Sequence, residues 1–218
     1  MTNDTTILSA IEPELADTIV QGRRDIFARY AKAAGIMTSA PLVLALASNQ
    51  AFGATLPKVI EDTLNFALTL EYLEAAFYDQ GYKSGVIPSK YRTVFRTIGG
   101  HETAHVKLLQ SVLGAAAVKA PGVDFTAGGK YADVFENFDT FLTLSQTFED
   151  LGVAAYKGQA GNLVGSKEIL TVALQIHSVE ARHAAEVRRI GLKFGWDGAF
   201  DKPLSKAAVL KAATPFLA

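Results

Sequence analysis

An internal repeat constrains this chain more than any other feature of its sequence. A glutamate followed seven residues later by a tyrosine occurs twice, and so does the motif Glu-x-x-His. Every position of the second copy lies 78 residues after its counterpart, and the first glutamate precedes the motif by 31 residues in both copies. The chain therefore contains one pair of structural elements twice. The first copy is Glu71, Tyr78, Glu102 and His105, and the second is Glu149, Tyr156, Glu180 and His183.

The hydrophobic pattern predicts that these elements are long helices. Apolar residues recur at i, i+3 and i+4, which is typical of a helix with one buried face. Ser89 and Ser166 are expected to cap the second and fourth helices through their side-chain oxygens. No segment shows the sustained alternation expected of strands. The four predicted helices span residues 56–82, 89–113, 131–159 and 166–194.

The connections between the helices indicate how they are arranged. The segment 115–130 joins the second and third helices and contains Pro121 and three glycines. The other two connections are much shorter. One long crossover in the middle of four helices is typical of ferritin-like connectivity, so the predicted fold class is an all-α ferritin-like four-helix bundle.

The repeated residues are suited to binding metal. Residues i and i+3 are neighbours on a helix surface, so Glu102 and His105 can bind one ion together. A lone glutamate on each partner helix completes the inventory known from di-iron and di-manganese carboxylate bundles. Four buried carboxylates carry four negative charges, which two divalent cations would neutralise. The predicted metal ligands are Glu71, Glu102, His105, Glu149, Glu180 and His183.

Four other polar residues lie near these ligands in the predicted helices. Tyr78 and Tyr156 are candidate catalytic residues that hydrogen-bond the carboxylates or donate electrons, although amphipathic core tyrosines fit equally well. Glu74 has Gly152 as its counterpart in the repeat, so it is expected to support Glu71 or to form an ion pair. His177 is expected to be a packing or supporting residue.

The N-terminal region differs from the rest of the chain. Small and apolar residues fill positions 31–54, and the adjacent Arg23 and Arg24 precede them. This order is typical of a secretory signal, and the paired arginines resemble a twin-arginine export signal. We therefore expect a periplasmic or extracellular protein. The alternative is a cytoplasmic protein with an amphipathic N-terminal helix. The stretch is only moderately hydrophobic and is interrupted by Thr38, Ser39 and Pro41, so it is a poor membrane span.

Two longer stretches resemble a known family. They read NFALTLEYLEAAFY at 65–78 and IHSVEARH at 176–183. They are similar to the exported bacterial ferritin-like domain family related to plant desiccation-related proteins. The resemblance implies the same six metal ligands. The expected organisation is an export signal at 1–54, a four-helix bundle at 55–195 and a C-terminal tail with a short helix at 196–218.

Composition narrows the choice of metal and partner. The chain has no cysteine and a net charge of −1. Thiolate sites are therefore excluded, and no basic footprint for nucleic acid is present. Carboxylate and imidazole ligands suit two iron ions, or alternatively manganese. The phenylalanine-rich third helix is expected to lie in the core, although part of it could form a homodimer face.

Four functions remain open from the sequence. The first is a di-iron oxidase or peroxidase-type enzyme that oxidises Fe(II) or reduces dioxygen or peroxide in oxidative or desiccation stress. The second is a di-manganese enzyme similar to a catalase. The third is a metal-binding stress-protection protein without turnover. The fourth is a helical interaction module in which the acidic positions are incidental.

Overall fold

Five α-helices make up most of the chain that the computed structural model describes, residues 56–218. The predicted export signal at 1–54 lies outside this range. None of the described helices combines the length and hydropathy needed to cross a membrane. The helices are α1 (Lys58–Ser84), α2 (Arg92–Leu113), α3 (Phe138–Gln159), α4 (Lys167–Ile190) and α5 (Lys206–Ala213).

The first four helices form the bundle expected from the sequence. α1 packs mainly along α2, and α3 packs mainly along α4. The connections within each pair are short, whereas residues 114–137 form the connection between the pairs. The predicted ferritin-like four-helix bundle with one long crossover between its second and third helices is confirmed.

Two predicted helix starts need correction. The third helix begins at Phe138 and not at Tyr131, because the Asn137 side chain caps it by accepting a hydrogen bond from the Asp139 amide. The residues just before Asn137 form successive turns. Ser89 does not cap α2, since it begins a short 3-10 turn instead. Ser166 does cap α4 by accepting a hydrogen bond from the Ile169 amide.

The fourth helix is shorter than predicted. It ends at Ile190 and not at Phe194, because the chain turns at Gly191 and Leu192 adopts a positive φ of 59°. This left-handed conformation cannot continue a right-handed helix.

The apolar interior is divided into two clusters with different side chains. One cluster is rich in aromatic residues, including Phe77, Phe141 and Phe148, whereas the other is mostly aliphatic. Phe141 and Phe148 are fully buried within this chain, as expected for core residues. Along α2 and α4, a polar stretch separates the residues of one cluster from those of the other. The two Glu-x-x-His motifs lie in these stretches.

The C-terminal tail packs against the bundle and against the crossover. The Leu204 amide donates a hydrogen bond to the Ala154 carbonyl on α3. A Cβ atom at Gly158 would lie 1.9 Å from the Leu204 carbonyl oxygen, so this approach requires glycine. Farther along, the Ala218 amide donates to the Gly122 carbonyl of the crossover. The tail therefore covers one side of α3 and closes on the long connection.

Candidate metal centre

The structure brings the six predicted ligands together in the middle of the bundle. Each of the four bundle helices contributes, and all six side chains are buried. They form two overlapping groups whose candidate ligand atoms all lie within 4.8 Å of one another. The first group is Glu71, Glu102, His105 and Glu180, and the second is Glu102, Glu149, Glu180 and His183.

Two carboxylates belong to both groups and can therefore bridge them. Glu102 places one oxygen 3.2 Å from His105 Nδ1 and the other 2.9 Å from His183 Nδ1. Glu180 places its Oε1 atom 3.2 Å from His105 Nδ1. Glu71 and Glu149 each belong to a single group. Each group thus has one histidine and one carboxylate of its own and shares two carboxylates with the other.

The polar atoms in this layer are arranged as a metal ligand set more than as a hydrogen-bond network. Oxygens of Glu71, Glu102 and Glu180 all lie 3.2 Å from His105 Nδ1, which has at most one proton to donate. Ligands about 2.1 Å from one ion and 90° apart would lie about 3.0 Å from each other. Several buried atoms also have no hydrogen-bond partner: Glu102 Oε1, Glu149 Oε2, both Glu180 oxygens and His183 Nδ1.

The carboxylates of the cluster do not share one pKa. Burial raises the pKa of Glu71 to about 7, although His105 partly opposes this shift. Burial and the neighbouring Glu102 raise the pKa of Glu180 well above its usual value. Burial also acts on Glu102, but the adjacent His105 and His183 outweigh it and lower the pKa of Glu102 to about 2. Glu102 is therefore the carboxylate most firmly held in its charged form.

The histidines carry positive charge when no metal is bound. Burial lowers the pKa of His183, but the adjacent carboxylates of Glu102 and Glu149 outweigh it and raise the pKa to about 10. The pKa of His105 is raised as well, because Glu71, Glu102 and Glu180 surround it. The cluster therefore requires positive charge, and in the metal-free protein the protonated histidines supply it. Metal binding would displace those protons.

Two tyrosines connect the halves of the repeat across the bundle. Tyr78 of the first half donates a hydrogen bond to Glu149 of the second half. Tyr156 of the second half donates one of 2.5 Å to Glu71 of the first. Burial raises the pKa of both tyrosines well above the usual value, so both hydroxyls keep their protons. Each tyrosine thus orients the carboxylate that belongs only to the opposite group.

The contact between two histidines is a feature that the sequence analysis missed. His101 Nδ1 lies 2.8 Å from His183 Nε2, and the two rings stack with centroids 5.1 Å apart. His183 therefore directs Nδ1 at the carboxylates and Nε2 at His101, which continues to the surface. His177 belongs to neither group. Its partial burial, and to a smaller extent the positive charge of nearby Lys157, lower its pKa.

Glu74 lies in the same layer although it belongs to neither group. Its side chain is only 3% exposed. Burial is the main cause that raises the pKa of Glu74 well above its usual value, and the negative charges of Glu180 and Glu149 add to this effect. The expected ion pair is not found, since no cationic residue between positions 56 and 218 pairs with it.

Comparison with known proteins agrees with this architecture. No curated protein matches the chain. A family model described as a ferritin-like domain matches residues 61–192, which extend from the first turn of α1 to just beyond the end of α4. This match covers more than half of the sequence and contains every residue of the two metal-capable groups. The chain therefore belongs to the ferritin-like domain family.

Proposed function

We propose that this protein binds two iron ions in the buried cluster and acts as an oxidase toward dioxygen or peroxide. The observation that carries the proposal is the pair of overlapping Glu and His groups, each complete enough to bind one ion. Four carboxylates are matched in charge by two divalent cations. Carboxylate and imidazole ligands with no thiolate suit iron or manganese.

Each ligand has a distinct task in this proposal. His105 and His183 would each hold one ion through Nδ1. Glu102 and Glu180, which belong to both groups, would be shared between the two ions. Each bound ion would supply one electron to the same oxidant. Two electrons with two protons convert dioxygen to hydrogen peroxide, or hydrogen peroxide to two molecules of water.

The tyrosines support the carboxylates that are not shared. Tyr78 and Tyr156 remain protonated and hold Glu149 and Glu71 by donated hydrogen bonds. A fixed carboxylate loses less conformational freedom when it binds an ion, so this support favours metal binding. Their position beside the cluster also makes them candidate electron donors to an oxidised centre, as the repeat suggested.

A small cavity favours dioxygen as the oxidant. It has a volume of about 20 Å³, and Tyr156 forms part of its wall. The other walls are mostly apolar and include Leu64, Leu109 and Val172. An apolar cavity of this size gives a water molecule few hydrogen-bond partners, whereas an apolar gas needs none. The cavity therefore offers dioxygen a place beside Tyr156, which donates a hydrogen bond to Glu71 of the cluster.

Titration with Fe(II) in air tests the proposal. The metal-free protein is expected to oxidise two Fe(II) ions per chain rapidly, followed by the growth of the ferric absorbance band. His105→Ala should lose this fast phase. His177→Ala is the matched control, because it removes a half-buried histidine that lies outside both groups. Fast oxidation by His105→Ala equal to that of the wild type would refute the assignment.

The same purified protein distinguishes the remaining alternatives. Metal analysis after purification from the native host separates iron from manganese. Consumption of dioxygen or peroxide over many turnovers indicates an enzyme. Binding of two ions without turnover would indicate a metal-buffering role in oxidative or desiccation stress. An unchanged melting temperature on adding metal would favour an interaction module, since specific binding stabilises the folded state.

Export to the periplasm or the outside of the cell is a separate part of the proposal. It rests on the arginine pair and the apolar stretch in residues 1–54. Mass spectrometry of the periplasmic and secreted fractions should find a mature N-terminus near Gly53 or Ala54. Recovery of the chain with its first residues intact in the cytoplasm alone would contradict export.

A further inference from the structure

Helix α1 contributes a second buried carboxylate to the metal layer. Glu74 lies one helical turn after Glu71, so both side chains project from the same face of α1. Glu74 is 3% exposed, and no hydrogen bond or ion pair to another described residue satisfies its carboxylate. Burying such a group without a partner is costly. A bound cation is a partner that would remove this cost.

The opposite helix leaves open space for this carboxylate. Gly152 of α3 is the counterpart of Glu74 in the repeat. A Cβ atom at position 152 would lie 3.3 Å from Glu74 Oε1 and 2.9 Å from Glu180 Oε2. Both oxygens therefore converge on the space that the glycine leaves empty. Any larger residue at position 152 would displace one carboxylate or the other.

The position of Glu74 favours one of the two groups. Glu74 Oε1 lies beside Gly152, which is one helical turn after Glu149 on α3. The Glu74 carboxylate is therefore next to the part of α3 that contributes Glu149. Glu180 Oε1 lies near His105 of the first group, whereas Glu180 Oε2 lies near Gly152 and on the side of Glu74.

We propose that Glu74 is a fifth carboxylate ligand of the metal pair and binds the ion held by Glu149 and His183. This inference rests on the proposed binding of two ions, and it makes the site asymmetric. One ion would have Glu71 and His105, while the other would have Glu149, His183 and Glu74. Five carboxylates exceed the charge of two divalent ions by one. An oxidised pair with a higher charge would therefore be favoured.

Zinc binding to the full chain tests this assignment without redox chemistry. Metal-free wild type should bind two Zn²⁺ ions in a calorimetric titration with a competing chelator. Glu74→Gln should weaken one of the two sites by at least about tenfold and leave the other unchanged. Glu61→Gln is the matched control, because it removes a carboxylate from the same helix outside the cluster. Two sites of wild-type affinity in Glu74→Gln would overturn the assignment.

Diffraction from zinc-loaded wild-type crystals gives a direct readout. A Glu74 oxygen should lie about 2.0–2.2 Å from one anomalous peak, as expected for a carboxylate bound to zinc. A Glu74 carboxylate outside contact distance of both ions would refute its role as a ligand. Failure of the wild type to bind two ions would instead refute the proposed function, so the two failures are distinguishable.

Discussion

The two halves of the repeat provide the same ligands but surround them differently. Each half contributes one lone glutamate, one Glu-x-x-His pair and one tyrosine to the centre. In the first half Glu74 adds a carboxylate where the second half has Gly152. His183 of the second half contacts His101 of the first half. The residue that corresponds to His101 in the second half is Val179, which is not a histidine. The six repeated candidate ligands and the two tyrosines are therefore symmetric, while Glu74 and His101 are not.

Removing a shared carboxylate should have the largest effect, because it damages both halves at once. Glu102→Gln is expected to weaken binding of both ions by more than about 100-fold. Glu149→Gln should weaken mainly one ion, since Glu149 belongs to a single group. Calorimetric zinc titration of the two variants measures this difference. Loss of only one ion in Glu102→Gln would show that it does not bridge the groups.

The pH dependence of the metal-free protein distinguishes individual groups of the cluster, because they titrate in different ranges. The pKa of Glu71 rises from 4.5 to about 7 on folding, so its contribution to stability is lost as the pH rises through that interval. The pKa of His183 rises from 6.5 to about 10, so its contribution is complete below 6.5 and lost toward pH 10. Glu102 acts oppositely, and its contribution is lost only as the pH falls from 4.5 to about 2.

We therefore expect the free energy of unfolding to decrease from pH 5 to pH 10 in the presence of a chelator. Glu71 alone accounts for a loss on the order of 3 kcal/mol. Bound zinc should reverse the trend over the lower part of this range, because its ligands bind in their deprotonated forms. Urea unfolding at pH 5, 7 and 9 measures both curves. Greater stability of the metal-free protein at pH 9 than at pH 5 would contradict the charges assigned to the cluster.

Removing either tyrosine hydroxyl should have similar effects, because the tyrosines are symmetric across the halves. Tyr78→Phe and Tyr156→Phe each leave a buried carboxylate without its donor, at a cost of about 1.5–3 kcal/mol at pH values where the carboxylate is charged. Urea unfolding of the metal-free variants measures this loss. Zinc titration should then show the weaker ion in the half opposite to the substitution. An effect confined to the same half would argue against the crossed hydrogen bonds.

The smallest expected effect concerns the histidine that contacts only one half. His101→Ala should weaken the ion bound by His183 about tenfold, because the His183 ring loses the partner that orients it. The ion bound by His105 should be unaffected. Zinc titration with the solvent-exposed substitution Lys107→Ala as a control tests this asymmetry. Equal weakening of both ions would indicate a general loss of structure instead.

The sequence predicted the symmetric part of the centre better than the asymmetric part. Equal spacing placed Glu102 and Glu180 in one layer, because helices of regular pitch preserve such a register. The contact of His101 was not predictable, since a position on one helix does not reveal which side chain of another helix lies beside it. In the sequence, Gly152 is only the position of the repeat that corresponds to Glu74. The space beside this glycine forms only when α1 and α3 pack together.

The local starts and ends of helices were predicted less well for a related reason. Asn137 and Ser89 are both good capping residues by type, yet only Asn137 begins a helix. The turns between residues 126 and 137 are held by hydrogen bonds within the crossover, such as that from the Tyr131 amide to the Thr126 carbonyl. These contacts compete with helix formation, and hydrophobic periodicity alone does not detect them.

The crossed tyrosines bear on how such a chain could have originated. In a single helix pair, the tyrosine has no glutamate to donate to, and the lone glutamate has no tyrosine as a donor, because each partner lies in the other helix pair. Two identical copies meeting about a two-fold axis would satisfy both, so an ancestral peptide of half the length could have assembled this centre as a dimer. Once both copies were fused in one gene, a substitution no longer had to appear twice. That freedom is what permits a carboxylate at position 74 to face a glycine at position 152.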